Sequence, residues 1–315
     1  GADFIQEMCY TPESILAIAD DADAIFTAVV PFGKDLIGKF TRCRIIACIG
    51  TGYDVVDITS ATEQGIIVTN VPDYCIDEVS DHAMALLLAC VKKLVNVSNA
   101  VKAGKWTQFR QPSMPEILEP VYRLRGQILG IIGLGNIGRA LVPKAQAFGL
   151  EVVAYDPYIQ PGSAKKLGVE LVEFNSLLER ADFVSLHATL TEQNKYMIGR
   201  EELKKMKPTA YLLNVARGAL IDENALATAV EEGQIAGAGL DVWEQEPVPP
   251  NSPLLKLDNV IATPHSAQYS IEATAELWRK PLEEVARVLQ GEWPREIAFV
   301  NPHVKEIFTA KWGTT

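Results

Sequence analysis

Short apolar runs recur along this chain, separated by stretches with helical spacing, and that alternation predicts parallel βαβ units. Strands are expected at residues 3–7, 24–29, 45–49 and 66–70, with helices at 12–20, capped by Thr11, and 57–64, stopped by Gly65. From Asp77, read as a cap, apolar positions continue through Ala83, Leu86, Leu87, Cys90, Val91, Leu94, Val95 and Val101 to Gly104. They predict one long helix, apolar on more than one face, that must be buried in a core or at an interface. Residues 105–125 carry Pro112, Pro115 and Pro120 without any period and predict a long loop, which in a compact protein serves an interface or a site. Strands then follow at 128–132, 151–155, 183–187, 210–214, 238–242 and 260–263, with helices at 137–148, 201–206 and 223–232, the last capped by Asp222. A final helix over 270–289 contains Pro281, which lacks a backbone donor and should kink the helix or start a second one. That break is the expected crossing from one domain to the other. Residues 294–315 show no pattern.

The turn after residue 132 is the strongest local signal. Gly133, Gly135 and Gly138 form G-x-G-x-x-G between a strand and a helix, with Asn136 and Ile137 inside the turn. The first glycine suits a tight turn, the second lets backbone approach a pyrophosphate, and the third lets helix and strand pack closely. The helix N-terminus adds unpaired N–H groups and a positive dipole end. The next strand ends in Asp156, placed to meet a ribose 2′-hydroxyl. No arginine directly follows it, so NAD is favoured over NADP.

At 315 residues the chain can form two domains with substantial cores. A charged fraction of 22% gives no case for disorder. The net charge of −11 disfavours a nucleic-acid or acidic-membrane partner, since either needs a positive patch. Cys9, Cys43, Cys48, Cys75 and Cys90 lack metal-ligand spacing, and their odd number without a secretory segment points to a reducing cytoplasm. No apolar stretch approaches membrane-span length.

Three strand-end segments, NVARGALID from Asn214, GLDVWEQEP from Gly239 and ATPHSA from Ala262, join the glycine turn and GTGYDVVD from Gly50. Together, in this order and over nearly the whole chain, they resemble the D-isomer-specific 2-hydroxyacid dehydrogenase family. The resemblance implies an α/β protein of two domains around a cleft. Residues 77–268 would form a Rossmann-type NAD-binding domain with a doubly wound parallel sheet, and residues 1–76 with 269–315 a discontinuous flavodoxin-like substrate-binding domain. It also implies a homodimer and NAD(H)-dependent interconversion of a 2-oxo acid and a D-2-hydroxy acid.

On the family pattern Arg217, Glu246 and His265 match the catalytic positions. The chemistry supports those residue types: a 2-oxo acid being reduced needs a hydride, a proton donor for its ketone oxygen and a cation for its carboxylate. An imidazolium is a good acid near neutral pH. Glu246 can bond its second nitrogen and favour the protonated form, and the planar fork of Arg217 can grip a carboxylate. The same pattern implies that Asp241 holds the nicotinamide amide, and that His187, Thr189, Val215, Ala216, Arg217 and His265 lie along the cofactor. It assigns the substrate to Thr51, Gly52, Tyr74, Arg217, His265 and Gln268. Cys75 beside Tyr74 is not expected as a nucleophile, because hydride transfer needs none. His82 is expected to be a packed or interface residue, and His303 has no assigned role.

Residues 70–89 and the pair Tyr269–Ser270 look most like the branch related to C-terminal-binding proteins. That resemblance brings a second reading, an NADH-sensing dimer that recruits partners with little catalysis. Two features depart from the family. Gln268 stands where that branch tends to carry a large aromatic, so its pocket should be more polar. Members also begin with a strand and helix ahead of the segment that GADF resembles, so the full protein is expected to carry residues before Gly1.

Overall fold

The computed structural model describes residues 3–106 and 120–313. The chain divides into two compact units, residues 1–75 with 270–315, and residues 76–269.

The first unit is built on three parallel strands, β1 (Ala24–Thr27), β2 (Ile45–Cys48) and β3 (Ile67–Thr69), in the order β1-β2-β3. Side chains alternate across a strand, and β2 uses both faces. Ile46 and Cys48 join Ile15, Phe32, Leu36 and Phe40 in one core. Ile45 and Ala47 join Val285, Val288, Val304 and Phe308 in the other. The second face is therefore covered by the helices Ile271–Leu289 and Lys305–Trp312.

Three expectations change here. Residues 3–7 form no strand: Phe4 and Ile5 are exposed and no backbone ladder joins them. The Pro281 helix runs unbroken from Ile271 to Leu289. Pro281 removes the donor that would reach the Leu277 carbonyl, but Val285 and Val288 just beyond it are buried against β2, which holds the next turn in line. The crossing between units lies instead at Ser270, whose hydroxyl caps this helix by accepting from Ala273 N at 2.8 Å.

The patternless tail is ordered. The buried Asn301 accepts from Val68 N at 2.8 Å and donates to Ile66 O at 2.9 Å and Thr62 Oγ1 at 3.0 Å. Val300 N donates to Val68 O and Asn70 N to Ala298 O, so the tail closes the β3 edge. Two of its apolar anchors, Ala298 and Val304, fall on short 3-10 turns, and Phe308 is the one buried residue of the short helix Lys305–Trp312, which leaves little helical or strand period to read.

The second unit holds seven parallel strands: β4 (Ile128–Ile132), β5 (Glu151–Tyr155), β6 (Glu170–Leu171), β7 (Phe183–Leu186), β8 (Tyr211–Asn214), β9 (Gly237–Leu240) and β10 (Val260–Ala262). Their order is β10-β9-β8-β7-β4-β5-β6, so strand order reverses between β4 and β7. This is the doubly wound Rossmann-type sheet, and a ligand binds such a sheet beyond the strand C-termini at the reversal. The strands are short continuous apolar runs because helices cover both faces. On one face Leu177 of helix Phe174–Arg180 sits directly over Gly130 of β4, where any Cβ would crowd it.

The expected helix over 77–104 is two helices, Ile76–Val91 and Leu94–Lys102, bent by 62° at a break where Lys93 takes φ 49°. Asp77 lies in the first turn and is not a cap. The first helix buries Val79, Ala83, Leu86, Leu87 and Cys90, with Leu86 and Cys90 against Gly239 of β9. The second leaves Leu94, Val95 and Val101 exposed. Among the described residues no single helix is long and apolar enough to cross a membrane. Most of the loop expected over 105–125, with Pro112 and Pro115, lies outside the described residues.

Candidate active site

At the end of β4 the chain turns through Gly133 at φ 93°, a left-handed conformation that favours glycine. Gly133 also lies against the Ala188 backbone beyond β7. A Cβ at Gly138 would overlap the Gly133 carbonyl oxygen, which makes the third glycine a packing requirement. At Gly135 a Cβ would meet nothing within 4 Å, so the backbone there faces open space. The helix Asn136–Ala147 begins at Gly135 without any side-chain cap. Its first N–H groups, on Asn136, Ile137 and Gly138, have no partner within the helix and point from a positive dipole end.

Asp156 stands at the end of β5. Its Oδ2 accepts from Leu134 N at 2.8 Å and its Oδ1 from Tyr158 N at 2.9 Å, which fixes the carboxylate beside the turn while each oxygen keeps a free lone pair. Across the reversal, His187 follows β7. Part of the residue reaches the surface, but its ring nitrogens are enclosed: one shares a 2.8 Å hydrogen bond with Ser185 Oγ, and Nδ1 has no partner among the described residues. Burial pushes its pKa down to about 4, so the ring is neutral at physiological pH. The nearby Thr189 is exposed, and its carbonyl accepts from Asn194 Nδ2 at 2.8 Å. An uncapped helix end, an open glycine, a fixed carboxylate and an orphaned buried nitrogen at one reversal fit a dinucleotide with its pyrophosphate on the turn.

The other strand ends carry side-chain chemistry. The fully buried Asn214 closes β8 by accepting from Ala216 N at 3.0 Å and donating to the Arg217 carbonyl at 2.9 Å. This shapes the turn of Val215, Ala216 and Arg217. The Arg217 guanidinium donates through Nη1 to the Ala216 carbonyl at 2.8 Å. The following Gly218 packs so closely on the Trp243 carbonyl that a Cβ would overlap it.

His265 and Glu246 meet directly, Nδ1 to Oε2 at 2.7 Å. His265 sits at φ 54°, a conformation its neighbours must hold. The fully buried Asp241 does much of this. Its Oδ1 accepts from Thr263 Oγ1 at 2.6 Å and Ser266 N at 2.9 Å, its Oδ2 from Ala267 N at 2.9 Å, and its carbonyl from His265 N at 2.7 Å. Burial pushes the Glu246 carboxyl up. The hydrogen bonds from His265 and the Trp243 amide, then the charges of His265 and Arg217, outweigh burial and hold it below the usual carboxylate range. Gln268 turns back on the same loop, donating through Nε2 to the His265 carbonyl at 3.0 Å.

Thr51, Gly52 and Tyr74 belong to the other unit. There Thr51 Oγ1 donates to the Val71 carbonyl at 3.1 Å, and the Thr51 carbonyl accepts from Asn70 Nδ2 at 2.6 Å. These bonds join the turn after β2 to the segment after β3.

The sequence alone gives no role to Asn214, Gly218, Trp243 or Thr263. A polar residue ending an apolar strand was the available signal for Asn214 and Thr263. His82, expected only to be packed or at an interface, is 3.1 Å from Thr263 Oγ1 and 3.5 Å from Asp241 Oδ1, and so belongs to the carboxylate's network.

Comparison with known proteins places these features among relatives. The sequence model described as "D-isomer specific 2-hydroxyacid dehydrogenase, NAD binding domain" matches residues 84–267. A glyoxylate reductase of Korarchaeum cryptofilum is 40% identical over 294 residues, covering 93% of this chain and 87% of the relative. A D-3-phosphoglycerate dehydrogenase of Methanocaldococcus jannaschii is 42% identical over 90% of this chain, which spans 52% of that relative, about half its length. Among solved structures, D-lactate dehydrogenase from Aquifex aeolicus, complexed with NAD and lactic acid, superposes with a TM-score of 0.79 at 30% identity, covering 87% of this chain and 85% of that one.

Proposed function

Because the chain belongs to the D-isomer-specific 2-hydroxyacid dehydrogenase family, we propose that it is an NAD(H)-dependent oxidoreductase interconverting a small 2-oxo acid and its D-2-hydroxy acid. The observation that carries this reading is the 2.7 Å pair of His265 and Glu246 at the strand-end edge that also bears Arg217. Bound at the glycine turn, NADH would supply the hydride to the carbonyl carbon. His265, with Nδ1 on the ionised Glu246, presents its other nitrogen as the proton donor to the ketone oxygen, and takes the proton back in the reverse direction. Arg217 grips the carboxylate and polarises the adjacent carbonyl. Asp156 favours NAD over NADP, because a carboxylate accepts from a ribose hydroxyl and repels a phosphate there. Asp241 contributes to the nicotinamide end through Oδ2, which accepts from Ala267 N and keeps one lone pair.

The alternative of an NADH sensor with little catalysis is less well supported, since the reported relatives are named as enzymes and a sensor has no use for a proton donor. For the same reason we place the chain with those enzymes and not with the C-terminal-binding-protein branch. A homodimer is our assignment for the assembly, open to light scattering. The substrate is decided by following NADH oxidation with glyoxylate, hydroxypyruvate, 3-phosphohydroxypyruvate and bulkier 2-oxo acids. Turnover of at least one is expected. Tight NADH binding with no turnover of any would refute the enzyme reading.

A further inference from the structure

Three contacts converge on Trp243, a nearly fully buried residue just beyond β9. Its backbone N–H donates to Glu246 Oε1 at 3.0 Å. Its indole Nε1–H donates to the Thr263 carbonyl at 3.0 Å. Its own carbonyl is the group packed on Gly218. Each contact ends at or beside a different member of the reacting set: on Glu246 itself, two residues before His265, and one residue after Arg217.

The second contact is the informative one. The loop after β10 carries His265 in a left-handed conformation that side chains rarely adopt and that the surroundings must over-determine. Asp241 holds the loop through Thr263 Oγ1, Ser266 N and Ala267 N. These bonds fix its position relative to β9 but do not reach Glu246. Trp243 makes that connection, since one rigid residue holds the Glu246 carboxylate by its amide and the His265 loop by its ring. We propose that Trp243 is a positioning residue whose indole N–H sets the spacing of the Glu246–His265 pair. The proposal rests on the reading of these two residues as the proton-transfer pair.

Trp243→Phe tests it, because phenylalanine keeps the backbone amide and carbonyl contacts and removes the indole donor. Benzothienylalanine placed at the same position keeps the ring shape as well, and so separates the N–H from packing. In both variants kcat is expected to fall about ten-fold, because a proton donor displaced by a fraction of an ångström loses rate. KM for the 2-oxo acid and the Kd for NADH should hold within about two-fold, since ground-state binding is untouched. Amide hydrogen exchange across residues 265–268 should quicken while the rest of the sheet is unchanged. Unchanged kcat and unchanged exchange in the benzothienyl variant would overturn the proposal. So would a kcat loss matched by weaker NADH binding and faster exchange throughout the sheet, which is the signature of core damage. If the wild-type protein turns over no 2-oxo acid, the functional reading fails, and the exchange contrast, read without substrate, still decides the role of the indole.

Discussion

The two sides of the strand reversal are built by different means. On the β4 side a single turn, Gly133 to Gly138, presents backbone N–H groups, and apart from the Ala188 backbone against Gly133 and the Asp156 bond to Leu134 its requirements are local: a positive φ, an open Cβ position and a carbonyl packed on the third glycine. On the β8–β10 side Arg217, Glu246 and His265 come from three strand ends: short-range bonds from Asn214 and Trp243 hold the first two, and bonds that cross about 20 residues of sequence or more bring Glu246, Trp243 and Asp241 onto the His265 loop. Binding a pyrophosphate needs many weak donors at fixed backbone positions, whereas moving a proton needs one or two groups placed to a fraction of an ångström. Changes on the first side should therefore appear in cofactor affinity, and changes on the second in turnover.

Short of removing His265 itself, Arg217→Lys should give the largest separation of the two. A lysine loses the planar fork, so kcat/KM for the 2-oxo acid is expected to fall about 10²–10³-fold with NADH affinity retained, as measured by steady-state kinetics beside calorimetry. Next comes Gly218→Ala, whose methyl overlaps the Trp243 carbonyl. Displacing Trp243 and Arg217 together should lower kcat about 10²-fold while Gly133–Gly138 still binds NADH.

His187 stands between the two sides and responds to pH. Its folded pKa, about 4, lies below the ordinary 6.5. The unfolded state therefore takes up a proton first, and stability is lost as pH falls from about 6.5 toward 4 and then levels off. The loss at pH 5 is about 2 kcal/mol, and His187→Gln should remove that portion of the pH dependence in urea unfolding. The smallest effect is expected at Gly135→Ala, where the added methyl meets no protein atom within 4 Å. Tm and kcat at saturating NADH should be unchanged, and the Kd for NADH should rise about ten-fold through interference with the pyrophosphate. If kcat fell more than affinity there, the division between the two sides would be wrong.

The same contrast explains what could be read from sequence. The glycine turn is legible because its chemistry is a spacing within a few residues, and Asp156 is legible because it ends the next strand. Arg217, Glu246 and His265 are legible through their order in the family pattern, each after an apolar strand, but what holds them is not. Trp243 has no role legible in the sequence, since nothing in its neighbourhood names Thr263 as its partner. His82 reads as one polar position on a buried helix until the fold brings β10 beside it. Elsewhere local signals misled where tertiary packing won: Pro281 is carried through by buried neighbours, and the 3–7 run has no ladder to join. Lys93 bends a helix that its apolar pattern alone would continue.

The central claim is that His265 transfers the proton while the glycine turn independently holds the cofactor. It is tested most directly by comparing wild type and His265→Ala for NADH oxidation at saturating NADH, using whichever 2-oxo acid the wild type accepts, with NADH affinity measured on both. The account predicts a loss of about 10²–10⁴-fold in kcat with the Kd for NADH essentially kept. Near-normal turnover in His265→Ala would contradict it.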